Sequence, residues 1–145
     1  MNQWHKSGLK TVFSNGCFDI VHLGHVDYLE KAAALGDKLI IGINTDKSIQ
    51  QLKGPERPII HEDSRFRLMA ALGIVSLVVP FSDETPIRLI ETLTPSVLVK
   101  GDDYTVDTIV GANHVINNGG SVQTIPLVEG FSTSSIIRKI IDIHN

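Results

Sequence analysis

The sequence predicts an α/β fold: a compact, doubly wound, five-stranded parallel sheet with helices on both faces. Three observations predict it. Apolar runs of strand length alternate with segments of helical period along the chain, as in parallel strands joined by crossover helices. Most of those runs are rich in Val, Ile and Leu, as strands buried on both faces should be. The length of 145 residues, with 42% apolar and 20% charged side chains, suits one folded domain rather than a disordered chain or a fibrous repeat.

The elements follow in order. Leu9 to Ser14 is the first expected strand, and Leu23 to Leu35 is a helix that stops at Gly36, read as a left-handed cap. Lys38 to Asn44 is the second strand, after which Thr45 or Asp46 caps a short helix toward Leu52. The only Gly/Pro-rich stretch, Lys53-Gly54-Pro55-Glu56-Arg57-Pro58, reads as a loop, and Glu62 to Leu72 as a helix ending before Gly73. Ser76 to Val79 is the third strand, and Thr85-Pro86 opens a helix through Leu93 with proline in its first turn. Val97 to Lys100 and Ser121 to Ile125 are the last strands, with a helix from Thr108 to Asn118 between them and one from Thr133 to Ile143 closing the chain. Ligands of such sheets bind beyond the carboxyl ends of the strands, where strand order reverses.

Composition excludes several functions. A net charge of -3 gives no basic field to gather nucleic acid or an anionic membrane. The apolar runs Leu39 to Ile43 and Leu77 to Pro80 fall far short of the roughly 20 residues that span a bilayer. The single cysteine, Cys17, makes no internal disulfide, and no export leader is visible, so the cytoplasm is the expected location.

The most informative stretch is Asn15-Gly16-Cys17-Phe18-Asp19 followed by His22-Leu23-Gly24-His25. Gly16 allows close backbone approach, and the helix start offers free amides and a positive dipole end to a phosphate. His22 and His25 are three residues apart and share a helical face. Their imidazoles can donate to phosphate oxygens, and Gly24 removes a side chain that would block the ligand. A surface or capping pair is the plain alternative; zinc is another, but His5, His61, His114 and His144 are scattered and complete no ligand set.

These residues, together with a later Lys-Gly…Arg-Pro loop and a terminal Phe-Ser-Thr-Ser-Ser, resemble the nucleotidyltransferase superfamily that shares the HxGH motif with class I aminoacyl-tRNA synthetases. From Asn15 to Ile140 the string is similar to the bacterial heptose 1-phosphate adenylyltransferase family: NGCFDIVHLGHVDYLEKAAALGDKLIIGINTD, QLKGPERPI, TPIRLIETLTPSVLVKGDDY and IVGANHVINNGGSVQTIPLVEGFSTSSIIRKI. The resemblance implies transfer of AMP from ATP to D-glycero-β-D-manno-heptose 1-phosphate, yielding ADP-heptose and pyrophosphate for lipopolysaccharide core synthesis. Mg2+ on the phosphates is expected from nucleotide chemistry. A sugar kinase domain often precedes this one in the family, so a free-standing copy is expected. A homodimer is also expected, through a sheet edge or Phe81 to Pro86.

Residue by residue, the resemblance makes His22, His25 and Lys53 catalytic. It places nucleotide contacts at Gly16, Cys17, Phe18 and Gly24, at Arg65, at Lys100, Gly101 and Asp103, and at Ser132 and Thr133. It gives the sugar phosphate Asn15, Asp19, Asn44, Asp46 and Arg57. Plain readings stand beside these: a solvated turn at Lys53 to Pro58, a Gly/Asp turn at Gly101 to Asp103, caps at Ser132 and Thr133, and a packing role for the Cys17 thiol. Arg67, two residues past Arg65, faces elsewhere. Base recognition is expected from Ile125 to Phe131. Asp102 departs from the family's Lys-Gly-Gly-Asp-Tyr and is similar to glycerol 3-phosphate cytidylyltransferases, the rival enzyme; a non-catalytic nucleotide sensor is the rival from another class.

Overall fold

The computed structural model describes residues 1 to 145. In chain order the elements are α1 (Asn2–Lys6), β1 (Thr11–Gly16), α2 (Leu23–Ala33), β2 (Lys38–Asn44), α3 (Asp46–Lys53), α4 (Glu62–Ala71), β3 (Leu77–Phe81), α5 (Ile87–Leu93), β4 (Val97–Gly101), a 3-10 turn (Val106–Thr108), α6 (Ala112–Asn117), β5 (Ser121–Ile125) and α7 (Thr133–His144). The five strands form one parallel sheet in the order β3-β2-β1-β4-β5, the Rossmann-like, doubly wound arrangement that the sequence predicts. Winding runs outward from β1 to β3 and then restarts at β4 on the other side of β1, so the order reverses between β1 and β4. A crevice opens at such a point.

Alternation along the strands divides the core between the two faces. Val12, Leu39, Ile41, Ile43, Val97 and Val99 meet Leu29 and Ala32 of α2 and Met69 of α4. Phe13, Ile40 and Leu98 meet Ile90 and Leu93 of α5, Ile109, and Ala112 and Val115 of α6. Each fully buried aliphatic side chain contributes about 1.5–3 kcal/mol relative to exposure, so both helix layers are held firmly.

Several boundaries differ from expectation. β1 starts two residues later than Leu9 and ends at Gly16, which puts Asn15 and Gly16 on the strand's carboxyl end. α1, unannounced by any periodicity in five residues, sets Trp4 against the second core cluster. Gly36 is not in the left-handed region, because α2 ends at Ala34 in the right-handed conformation. Gly36 is required instead by close approach, since a Cβ there would lie 2.7 Å from the Lys10 carbonyl oxygen and 2.8 Å from Val12. Thr45 rather than Asp46 caps α3, Pro86 is the N-cap of α5 rather than part of its first turn, and α6 begins four residues after Thr108.

Candidate active site

A cavity of about 690 Å3 lies at the carboxyl ends of the sheet, with Asn15 and Gly16 of β1, Asn44 of β2, and Lys100 and Gly101 of β4 in its wall. The first turns of α2 and α7 and the end of α3 close its sides. The doubly wound topology thus gathers the distant motifs in one place.

At the start of α2 the two histidines form a reciprocal cap. The Gly24 amide donates to His22 Nδ1 at 3.1 Å, and the His22 amide donates to His25 Nδ1 at 3.3 Å. Each Nδ1 therefore acts as an acceptor, which places the proton of the neutral ring on Nε2. The rings stack with centroids 3.9 Å apart, and Phe18, held at φ +49°, lies 5.4 Å from His25. Burial lowers the His22 pKa below its ordinary value. Burial, then the charges of His22 and Lys53, push His25 down to about 4. Near neutral pH the pair is uncharged and presents two N–H donors without the desolvation cost of buried cations. Gly24 cannot be enlarged without displacing a neighbour: a Cβ would lie 2.9 Å from His22 Cε1 and 3.0 Å from Phe131 Cβ.

Lys53, the last residue of α3 rather than a residue of the expected loop, and Arg57, on the loop that follows, also line the cavity. That loop is tied down by Asp19, which is 4% exposed. Its carboxylate accepts from Arg57 Nε at 2.9 Å, from the Ile59 amide at 2.9 Å and from the Ile60 amide at 2.8 Å. Burial acts to raise its pKa, but these amides and the Arg57 guanidinium outweigh it and hold the carboxyl below its ordinary value. Asp19 therefore corrects expectation: it does not line the cavity, and its acceptor sites are taken up by the loop.

Arg65 and Asp46 are corrected in the same way. The Arg65 side chain is fully buried, donating from Nε to the Ile60 carbonyl at 3.0 Å and from Nη1 to the Cys17 and Asn44 carbonyls at 2.7 and 2.8 Å. Its Nη2 pairs with Asp46 at 2.8 Å. Neither residue reaches the cavity; together they join the turns after β1 and β2 to α4. Arg67 is exposed, as expected. Asn44 lines the wall, but its amide donates to Ser48 at 2.9 Å and accepts from the Cys17 thiol at 3.8 Å.

At the end of β4, Lys100 lines the cavity with its ammonium 5.3 Å from the Tyr104 ring centroid. Burial lowers its pKa below the usual lysine range, against the opposing charge of Asp103. Asp102, the departure from the family string, does not line the cavity; its carboxylate accepts from the Leu127 amide at 3.3 Å and ties the β4 turn to the segment after β5. On α7, Ser132 is the cap, accepting from the Ser135 amide at 3.0 Å, and Thr133 and Ser134 face the cavity with it.

The structure adds wall residues that were not singled out. Tyr28 lies three residues beyond His25, so the His22, His25, Tyr28 spacing carried the signal. Its hydroxyl is 2.7 Å from Ser14 Oγ, and burial pushes its pKa up to about 12. Phe131 stacks toward His22 at 6.3 Å, and Leu127 and Val128 stand beside it, within the segment expected to meet the base. Phe81, Glu84, Thr85 and Pro86, expected at a dimer surface, line the cavity. No three His, Cys, Asp or Glu side chains gather as a metal cage, and no helix is long and apolar enough to cross a membrane.

Comparison with known proteins gives consistent relatives. The cytidylyltransferase-like family pattern matches residues 13–139. The bifunctional protein HldE of Magnetococcus marinus is 52% identical over 138 residues, covering 95% of this chain and 28% of that protein. That of Geotalea uraniireducens is 53% identical over 133 residues, covering 92% and 27%. The chain thus spans less than a third of the length of these relatives. Among solved structures, a lipopolysaccharide core biosynthesis protein from Thermoplasma volcanium matches with a TM-score of 0.67 at 25% identity, over 83% of this chain and 98% of that one.

Proposed function

Because this chain belongs to the cytidylyltransferase-like family, we propose that it transfers AMP from ATP to D-glycero-β-D-manno-heptose 1-phosphate and releases pyrophosphate. The observation that carries this reading is the pair of stacked, Nδ1-locked imidazoles at the mouth of α2, facing a cavity that also holds Lys53, Ser132 and Thr133. The extent of identity to HldE proteins supports the acceptor.

A sugar phosphate is already a good nucleophile, so the protein needs to align two substrates and stabilise charge rather than attack. The free amides and dipole of α2 favour the phosphates, and the Nε2–H groups of His22 and His25 donate to oxygens that gain charge as pyrophosphate departs. Lys53 adds a positive charge at the end of α3, just before the loop whose residues 57–60 Asp19 ties down. Magnesium belongs to the substrate in this scheme: the carboxylates on the wall, Glu84 and Asp103, form no cage, and a divalent ion arrives on the triphosphate.

Pyrophosphate release with the heptose 1-phosphate and each of ATP, CTP and GTP, with glycerol 3-phosphate as competing acceptor, tests the reading. Rapid release with ATP and the heptose alone is expected. Release only with CTP and glycerol 3-phosphate overturns it in favour of the rival enzyme, and nucleotide binding without release in any pairing favours a sensor.

A further inference from the structure

Two polar groups on the cavity wall have no partner within the protein. The half-buried Lys100 ammonium makes no hydrogen bond and has no carboxylate at ion-pair distance, and it stands over the Tyr104 ring. Asn15 Oδ1 is shut off from solvent and accepts from nothing. Such groups cost free energy when left open, and most buried polar atoms are paired. In the parallel pairing of β1 with β4, Val12 stands opposite Val97 and Phe13 opposite Leu98, and continuing that register brings Asn15 level with Lys100. Lys100 calls for an anion, and the Asn15 amide on the same wall, with its Oδ1 uncommitted, calls for a hydrogen-bonding group beside it, which describes a phosphomonoester flanked by hydroxyls.

The triphosphate has its own donors elsewhere. Ser132 and Thr133 follow Phe131, whose ring stacks toward His22, and the Lys53 charge acts on His25, whereas Lys100 stands at the end of β4 over the Tyr104 ring. Phosphoryl displacement puts the attacking oxygen in line with, and opposite to, the leaving group. A second anion seat is therefore required on the far side of the α-phosphorus from the histidines and α7. We propose that Lys100 and Asn15 are that seat, the ammonium holding the phosphomonoester whose oxygen attacks and the Asn15 amide, on the same wall, turning to hydrogen-bond a neighbouring sugar hydroxyl. This rests on the proposed function in taking the acceptor to be a phosphomonoester, and it moves Lys100 from the nucleotide to the acceptor. In the step, the acceptor oxygen forms a bond to the α-phosphorus as the bond to the α,β-bridging oxygen breaks. The electron pair leaves with pyrophosphate, and the phosphate dianion brings no proton to be removed.

The test separates the two substrates. Pyrophosphate release is measured for wild type, Lys100→Met, Lys100→Arg and Asn15→Ala with heptose 1-phosphate, mannose 1-phosphate and glycerol 3-phosphate, and ATP affinity is measured separately by calorimetry. Lys100→Met is expected to raise KM at least tenfold for whichever acceptor the wild type uses, with the ATP Kd within twofold; Lys100→Arg recovers most of the loss. Inorganic phosphate, competitive with the acceptor in wild type, loses potency in Lys100→Met. An unchanged acceptor KM, or ATP affinity weakened as much as acceptor affinity, overturns the proposal. Should Lys100→Met not fold, Lys100→Gln supplies the same readout. If the wild type uses glycerol 3-phosphate and not the heptose, the proposed function fails, while the KM for glycerol 3-phosphate still decides the seat.

Discussion

Gly24 and His25 show how narrowly the site is specified at the level of single atoms. Alanine is a better helix former than glycine by about 1 kcal/mol, yet a Cβ at Gly24 would displace His22 or Phe131. Gly24→Ala is therefore expected to leave the melting temperature nearly unchanged while lowering kcat/KM about a hundredfold, as misplaced catalytic groups do; unchanged turnover would refute the contact. His25 makes a pH prediction. Its folded pKa, about 4, lies below its ordinary 6.5, so the folded state resists a proton that the unfolded chain accepts. Its contribution to stability is full above 6.5 and declines as pH falls through about 4. Asp19, also depressed, acts in the same direction, its contribution being lost as pH falls below its ordinary 3.8. Nuclear magnetic resonance titration should find the His25 ring titrating near 4 in the free protein and higher once a triphosphate is bound. The HxGH spacing made the two imidazoles visible in the sequence, but their tautomer rests on backbone amides that spacing does not reveal.

At the level of elements, three turns depend on two buried charged side chains. Arg65 binds the turns after β1 and β2, and removing it leaves three carbonyls without that donor and Asp46 with only its exposed contact to His61. Arg65→Met is expected to cost about 3 kcal/mol or more in urea unfolding. Asp19→Asn weakens the hold on residues 57–60, with an expected loss of about 1–3 kcal/mol, faster proteolytic cleavage of that loop and a raised KM for ATP. Family resemblance read Asp19, Asp46 and Arg65 as ligand contacts because a motif string marks where residues matter and not which way they point. Only the fold shows that these three face inward, beneath the residues that face the cavity. The strands and longer helices were legible because Val, Ile and Leu runs and helical periods are strong signals; α1 and the 3-10 turn are too short to carry one.

Across the whole molecule, the order β3-β2-β1-β4-β5 brings together residues up to 119 positions apart, from Asn15 to Ser134, around one cavity. Alternating strand and helix signals made the doubly wound class readable, and that class points to the carboxyl ends of the strands as the place for a ligand. The aromatic and aliphatic wall from Phe81 to Pro86 and from Leu127 to Phe131 was less legible, because loop side chains take their direction from tertiary packing. For the proposed reaction the assembled cavity offers alignment, uncharged imidazole donors and lysine charges, with no attacking group called for. The stereochemical course at the α-phosphorus tests that claim most directly, using ATP bearing a chiral α-thiophosphate with the heptose 1-phosphate. One in-line displacement predicts inversion of configuration in the product. Retention would mean two displacements through a nucleotidyl-enzyme, and would contradict the account.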